Sequence, residues 1–304
     1  MLLPIPAEPE AFGAPHPWQQ VADAPRLTQA TCTLLREITV LDEYGVRRPI
    51  PIPTERPLTL FVDKRELVTL MTLGACPELL VLGYLRNQRL IAAVGEVESI
   101  TVDWDVSAAA VRTRDGLRDL EARTARRVVT SGCGQGTVFG DMMDDLATLR
   151  LPAPELARIR QSTLHAVLEV MRARNSIHRK AGSVHGCALF RGAEMLMFVE
   201  DVGRHNAIDT IAGWMAMHGV NGADKTFYTT GRLTSEMVMK SAQMGVPIIV
   251  SRNGVTAMGH EMATQLGMTL FGRAANRHFI CYTGFERFDS EPEPQRPPVR
   301  VVSG

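Results

Sequence analysis

The string Ser131-Gly132-Cys133-Gly134-Gln135-Gly136 places one thiol between glycines, shortly after the basic run Arg123-Thr124-Ala125-Arg126-Arg127. Glycine lets the backbone turn through positive φ or lets another molecule approach closely, so the loop is built to present Cys133. Nearby arginines favour the thiolate, which is the form of cysteine that attacks. The competing interpretation is a turn with an incidental cysteine, since buried inert cysteine is common.

Three strand-to-helix junctions carry a second kind of chemistry: Asp201-Val202-Gly203-Arg204-His205-Asn206, Thr229-Thr230-Gly231-Arg232-Leu233-Thr234 and Ser251-Arg252-Asn253-Gly254. Each combines small or polar residues with an arginine where free backbone N–H groups point outward. Ligands of open α/β sheets sit beyond the carboxyl ends of strands, and helix N-termini there attract phosphate, so three such loops together form a pyrophosphate cradle. Taken singly they are ordinary caps and turns. Neither G-x-G-x-x-G nor G-x-x-x-x-G-K-[ST] is present, which argues against the commonest dinucleotide and ATP-hydrolysing folds. His185 and Cys187, two apart in an expected strand, share a face as ligands of a common group or as a satisfied core pair. Asp201 and His205 are acid/base candidates. Asp209 is expected to complement a helix dipole, and Met237, Met239 and Met244 to fill core.

The elements that must position these groups follow from periodicity. Residues 1–27, with prolines at 4, 6, 9, 15, 17 and 25, form an extended arm that is given no structure and contains no signal helix. Leu34 to Leu41, Arg47 to Pro53 and Leu58 to Val62 are expected as a meander, followed by a helix from Pro77 and strands at Val94 to Trp104 and Ala108 to Thr113. A helix over Glu155 to Arg174 opens a region of alternating texture. There, strands at Val184 to Phe190, Met195 to Glu200, Lys225 to Thr230 and Pro247 to Ser251 alternate with helices from about Asn206, 233 and 256, and Thr269 to Phe271 and Phe279 to Thr283 finish the sheet. The expected division is an arm (1–27), a small α+β domain (28–130), the cysteine loop and linker (131–150), an α/β domain (151–288) and a tail (289–304).

Charge balances at 33 basic and 33 acidic residues, so nothing global points to nucleic acid or to a membrane surface, and any anion site is local. No apolar stretch approaches membrane-spanning length. Five cysteines without a Cys-x-x-Cys pair suggest neither a disulfide framework nor a zinc cage, and the cytosol fits best.

The strings Glu200-Asp201-Val202-Gly203-Arg204-His205-Asn206-Ala207, Gly231-Arg232-Leu233-Thr234-Ser235-Glu236 and Val250-Ser251-Arg252, with Leu79 to Gly83 and the Ser131 to Gly134 loop, resemble the formate dehydrogenase accessory sulfurtransferase (FdhD) family. The resemblance runs from about Thr33 to Thr283. It implies a three-layer, cytidine-deaminase-like α/β domain beside a smaller N-terminal α+β domain. It also implies a cytoplasmic homodimer that takes persulfide sulfur from a cysteine desulfurase onto Cys133. The sulfur would pass to bis-molybdopterin guanine dinucleotide, carrying molybdenum or tungsten, before that cofactor enters the formate dehydrogenase catalytic subunit. The cofactor contacts implied are Arg204, His205, Asn206, Gly231, Arg232, Ser251, Arg252, Gly272, Arg273, Asn276, Arg277 and His278.

Two departures accompany it. The family's Cys-Gly-x-Cys stands here as Cys133-Gly134-Gln135-Gly136, and its late Gly-Phe-x-Arg-x-x-Arg segment as Gly272-Arg273-Ala274-Ala275-Asn276-Arg277-His278. The alternative is a cofactor-binding chaperone without sulfur transfer. Zinc-dependent deamination is set aside, because no His-x-Glu and no Pro-Cys-x-x-Cys exists to supply ligands and a proton shuttle, and no metal site is expected.

Overall fold

The computed structural model describes residues 23–116 and 149–291. Most of the arm, the Cys133 loop with Arg126, Arg127 and Gly136, and the tail from Pro292 lie outside the described residues.

The first described half contains β1 (Arg26–Leu27), β2 (Leu35–Leu41), β3 (Arg47–Pro53), β4 (Arg56–Val62), β5 (Arg65–Thr72), helix α1 (Pro77–Asn87), β6 (Val97–Asp103) and β7 (Ala108–Thr113). Five of these strands form one sheet in the order β1-β6-β7-β4-β5. Leu58, Leu60, Leu70, Val97, Ile100 and Val111 of that sheet close over Leu80, Val81, Leu82 and Leu85 of α1. The expected meander is not formed, because β2 and β3 pair only with each other while β4 pairs with β5 and β7. Nor is the arm unstructured to its end. Arg26–Leu27 runs parallel to β6, held where Thr28 Oγ1 (2.7 Å) and Ala30 N (2.6 Å) donate to the Glu78 carboxylate.

The second half contains β8 (Ile159–Arg160), α2 (Gln161–Ala173), α3 (Ile177–Ala181), β9 (His185–Arg191), β10 (Glu194–Asp201), α4 (Arg204–Met217), β11 (Lys225–Thr229), α5 (Ser235–Gln243), β12 (Ile248–Ser251), α6 (Ala257–Gln265), β13 (Thr269–Ala275), β14 (His278–Thr283) and β15 (Phe288–Asp289). The helix expected from Glu155 begins only at Gln161, since Pro154–Leu156 makes a single 3-10 turn and β8 pairs with β15, with Arg158 on Asp289.

The six-stranded sheet has the order β10-β9-β11-β12-β13-β14, with β11, β12 and β13 mutually parallel. Alternation splits its side chains between two faces. Cys187, Leu189, Phe227 and Ile249 pack with residues of α4, α5 and α6, including Met237 and Met239. Ala188, Phe190, Tyr228 and Val250 pack with Leu164, Val167 and Leu168 of α2. The result is a mixed α/β arrangement with helices on both faces of the sheet.

The two halves meet where α1 crosses α4. The approach is so close that a Cβ on Gly83 would lie 1.6 Å from the Asp209 carbonyl oxygen, and one on Gly213 would lie 1.9 Å from that of Leu79. Among the described residues no helix is long and apolar enough to cross a membrane.

Candidate functional site

Strands β11 and β12 run parallel and end at Thr229 and Ser251, so the loops beyond them emerge side by side. Their side chains lace them together. Ser251 Oγ donates to the Gly231 carbonyl (2.6 Å) and accepts from Asn253 N (2.9 Å), and Asn253 Nδ2 donates to the Thr230 carbonyl (2.7 Å). Arg273, at a bulge in β13, joins through its N–H to the Asn253 carbonyl (2.9 Å). The loop after β10 is fitted against them by Arg204, whose Cδ would stand 2.8 Å from a Cβ on residue 231, so only glycine fits there.

Asp201 organises that first loop. Its carboxylate accepts from Thr72 Oγ1 (2.5 Å), Leu73 N (3.1 Å), Gly203 N (2.9 Å) and Asn206 Nδ2 (2.8 Å), and the second Asn206 amide proton goes to the Met71 carbonyl (2.7 Å). Burial raises the Asp201 pKa against these bonds. With four donors Asp201 is a joint between the end of β5 and the junction, not an open acid/base group. Asp209 is a correction of another kind. It sits beyond the first turn of α4 and accepts from Asn87 Nδ2 (2.7 Å) and Lys240 Nζ (2.8 Å), so it is one member of a buried ion pair and no dipole complement.

Lys240 Nζ also lies 3.4 Å from Glu236, whose other oxygen is 3.2 Å from His205 Nε2. Burial, then the charges of Lys240 and Arg204, push the His205 pKa down to about 2, so the imidazole is neutral and its contact with Glu236 is polar, not ionic. The sign of its pH effect follows. Unfolded His205 takes up a proton below its ordinary pKa of 6.5 and the folded form does not, so stability present above 6.5 is lost as pH falls. The folded protein should therefore lose about 1.4 kcal/mol more between roughly pH 7.5 and 5.5 than a His205→Gln variant does. Urea midpoints at the two pH values check this, and equal losses reject it.

A cavity of about 270 Å³ opens at the carboxyl edge of β11 and β12, on the α2 face of the sheet. Arg172, Arg174, Arg179 and Arg252 line it together with Tyr228 and Asn276. The Arg174 guanidinium stacks over the Phe198 ring at 4.2 Å, which fixes one charge at the wall. Glu200 also lines the cavity, but its two oxygens accept from Ile177 N (2.7 Å) and His178 N (2.9 Å) at the start of α3. Four arginines thus stand against one engaged carboxylate, with Arg179 giving Nη1 to the Arg172 carbonyl (3.0 Å), and such a balance of charge favours anions. His185, half-buried nearby, lies with Nδ1 3.4 Å from Thr230 Oγ1, and burial followed by Arg204, His178 and Arg232 lowers its pKa.

Of the residues singled out from the sequence, Arg252 and Asn276 line the cavity. Arg232, Arg273, Arg277 and His278 are exposed, whereas Arg204, His205, Asn206, Gly231, Ser251 and Gly272 are buried in the framework beneath the loops. Cys187 is fully buried and donates to Thr229 Oγ1 (3.3 Å), the arrangement of a satisfied core residue. Arg172, Arg174 and Arg179 were missed. Their signal is the basic segment Arg172, Arg174, His178, Arg179 and Lys180 between a helix and the first strand of the sheet.

A sequence profile of the FdhD/NarQ family matches residues 53–289. The chain belongs to the FdhD/NarQ family. Among its FdhD relatives, "Sulfur carrier protein FdhD" of Bacillus licheniformis is 30% identical over 242 residues, covering 80% of this chain and 91% of the relative. The protein of the same name from Bacillus subtilis is 30% identical over 234 residues, covering 77% and 88%. A crystal structure from Desulfotalea psychrophila, of a protein assigned as a formate dehydrogenase accessory protein, superposes with a TM-score of 0.67 at 24% identity. It covers 84% of this chain and 98% of that one, and at this identity the likeness is one of fold.

Proposed function

We propose that this FdhD-family chain is a cytoplasmic sulfur carrier for formate dehydrogenase maturation, taking sulfur from a cysteine desulfurase onto Cys133. It would pass that sulfur to bis-molybdopterin guanine dinucleotide held at the arginine-lined cavity. The names of its relatives support the carrier role, and the helices on both sheet faces are in keeping with a cytidine-deaminase-like domain. The observation that carries the cofactor assignment is the four-arginine cavity at the carboxyl edge of parallel strands, where a nucleotide diphosphate meets fixed positive charge.

In the loading step the Cys133 thiolate attacks the outer sulfur of the desulfurase persulfide. One S–S bond forms to Cys133, the donor's S–S bond breaks, and the donor cysteine leaves as thiolate. The outer sulfur of the Cys133 persulfide is sulfane. Its release therefore takes two electrons from a reduced metal centre of the acceptor or from an external thiol, and Cys133 returns as thiolate.

GDP, standing for the nucleotide end, tests the cavity. Arg252 is exposed and lines it, so Arg252→Ala should weaken GDP binding roughly tenfold or more, the loss of one charge-assisted phosphate contact. Arg112→Ala, at an exposed side chain of β7 paired with Glu98, should leave the titration unchanged. Equal GDP affinity in the wild type and Arg252→Ala would remove the cavity from the mechanism.

A further inference from the structure

A second cavity, of about 430 Å³, opens where the last turn of α1, the second half of α4 and the end of α5 come together. It shares no lining residue with the arginine cavity. Helix α4 starts at the junction loops with Arg204 and runs about 20 Å, and the second cavity lies along its later half, so the two are separate places on the molecule. Val94, Met215, Val220 and Met244 make its walls largely apolar. Ligand cavities have this character, with volumes of about 300–1,000 Å³ and few polar groups.

One lining residue carries a charge. Arg86 stands half-buried in the last turn of α1, and no acidic residue lines the cavity with it. A guanidinium presents several N–H donors in a fixed fork. Among the described residues none of those of Arg86 meets an acceptor, and no carboxylate pairs with it. Burial alone lowers its pKa, whereas Asp289 and Glu194 raise those of the exposed Arg158 and Arg191. A helix C-terminus offsets about half a positive charge. The carbonyls of the three helix ends are already engaged, since Gln88 N donates to Tyr84 O (2.8 Å), Val220 N to Met215 O (2.9 Å) and Met244 N to Lys240 O (3.0 Å). The amide of Asn87 is likewise turned away, onto Asp209 (2.7 Å). Arg86 therefore faces the cavity with no anion in the wall. A packing flaw would look different, because cavities that stay empty are apolar throughout, and a partly desolvated cation without a partner is costly.

We propose that this cavity is a second ligand site, which takes an organic monoanion whose apolar body packs on Val94, Met215 and Met244 while its charged end meets Arg86. A single arginine matches a single charge. A nucleotide diphosphate, with more charge and less apolar surface, is better met by the four arginines of the other cavity. The walls come from α1 on one side and from α4 and α5 on the other, so the occupant touches both halves of the protein.

The experiment is a fluorescence titration of the full chain with anilinonaphthalene sulfonate, a monoanion, beside phenylnaphthylamine, the same ring system without the sulfonate. The wild type should bind the sulfonate saturably, and Arg86→Gln should weaken it roughly tenfold while leaving the uncharged dye unchanged. Ala93→Trp fills the cavity from an exposed position of extended backbone, and should weaken both dyes with an unchanged circular dichroism spectrum. GDP at millimolar concentration should displace neither dye. Absence of saturable binding by the wild type overturns the proposal, as does equal affinity of wild type and Arg86→Gln for the sulfonate. If Arg86→Gln weakens both dyes alike, the side chain acts by packing and the assignment to an anion is wrong. Displacement by GDP, with Ala93→Trp binding as the wild type does, would put the dye at the arginine cavity and likewise overturn the second site.

Discussion

Gly83→Ala should abolish folding or cost at least about 3 kcal/mol, at a mid-helix position where alanine ordinarily gains about 1 kcal/mol over glycine. The reversal of sign comes from the crossing of α1 on α4, where a Cβ would stand 1.6 Å from the Asp209 carbonyl oxygen and 2.7 Å from Gly213 N. These are backbone atoms of a buried helix, so no side chain can swing aside, and the helices would have to separate. Separation would in turn stretch the Asn87–Asp209 bond, which crosses the same seam and, if broken, leaves the buried Asp209 carboxylate one donor short. Chemical denaturation of Gly83→Ala beside Gly254→Ala checks this, because nothing stands within 4 Å of a Cβ at residue 254. Similar stabilities for the two variants would mean that the crossing tolerates a methyl group.

Gly83 also marks the limit of what sequence periodicity carries. Leu79, Leu80, Leu82 and Tyr84 announce a helix from Pro77, but the helix is buried nearly all round, and its second contact is made by backbone. The α/β texture after residue 175 was legible because Phe227, Ile249 and Leu270 fall in short apolar runs between glycine-bearing turns. Strand β5 was not, since its buried Leu67, Leu70 and Thr72 do not strictly alternate and a register shift at Leu60/Phe61 disturbs its pairing. The junction loops were recognisable by composition. Which arginine reaches a ligand was not, because that depends on depth: Arg204 lies under Gly231, while Arg174, some thirty residues earlier in the chain, reaches the same edge by stacking on Phe198.

Cys133→Ser should fold, accept no sulfur and fail to support formate dehydrogenase, whereas a chain in which the other four cysteines are replaced should fold, accept sulfur and support the dehydrogenase. Cys133 itself lies outside the described residues, and the structural support comes from the cysteines that are described. Burial raises the pKa of Cys187 to about 12, of Cys76 to about 12 and of Cys281 to about 11, and it raises that of Cys32 against the opposing charge of Arg56. A thiol of pKa 11 to 12 is ionised at neutral pH in only about one molecule in 10⁴ to 10⁵, and thiolate is the species that attacks a persulfide. Cys187 is moreover sealed in the sheet with its proton on Thr229, so it cannot replace the cysteine absent at Gly136. With glycine at position 136, no disulfide can form within the Cys133–Gly136 loop, and on the single-cysteine route sulfane sulfur leaves directly to its acceptor. Mass spectrometry after incubation with a desulfurase and cysteine reads the first step as the gain of one sulfur atom on the Cys133 peptide. Formate dehydrogenase activity in cells reads the second. A four-cysteine-replaced chain that folds and loads sulfur yet leaves the dehydrogenase inactive would reject the single-cysteine route. A Cys133→Ser protein with full activity would leave the chain a cofactor chaperone, with the arginine cavity as its working part.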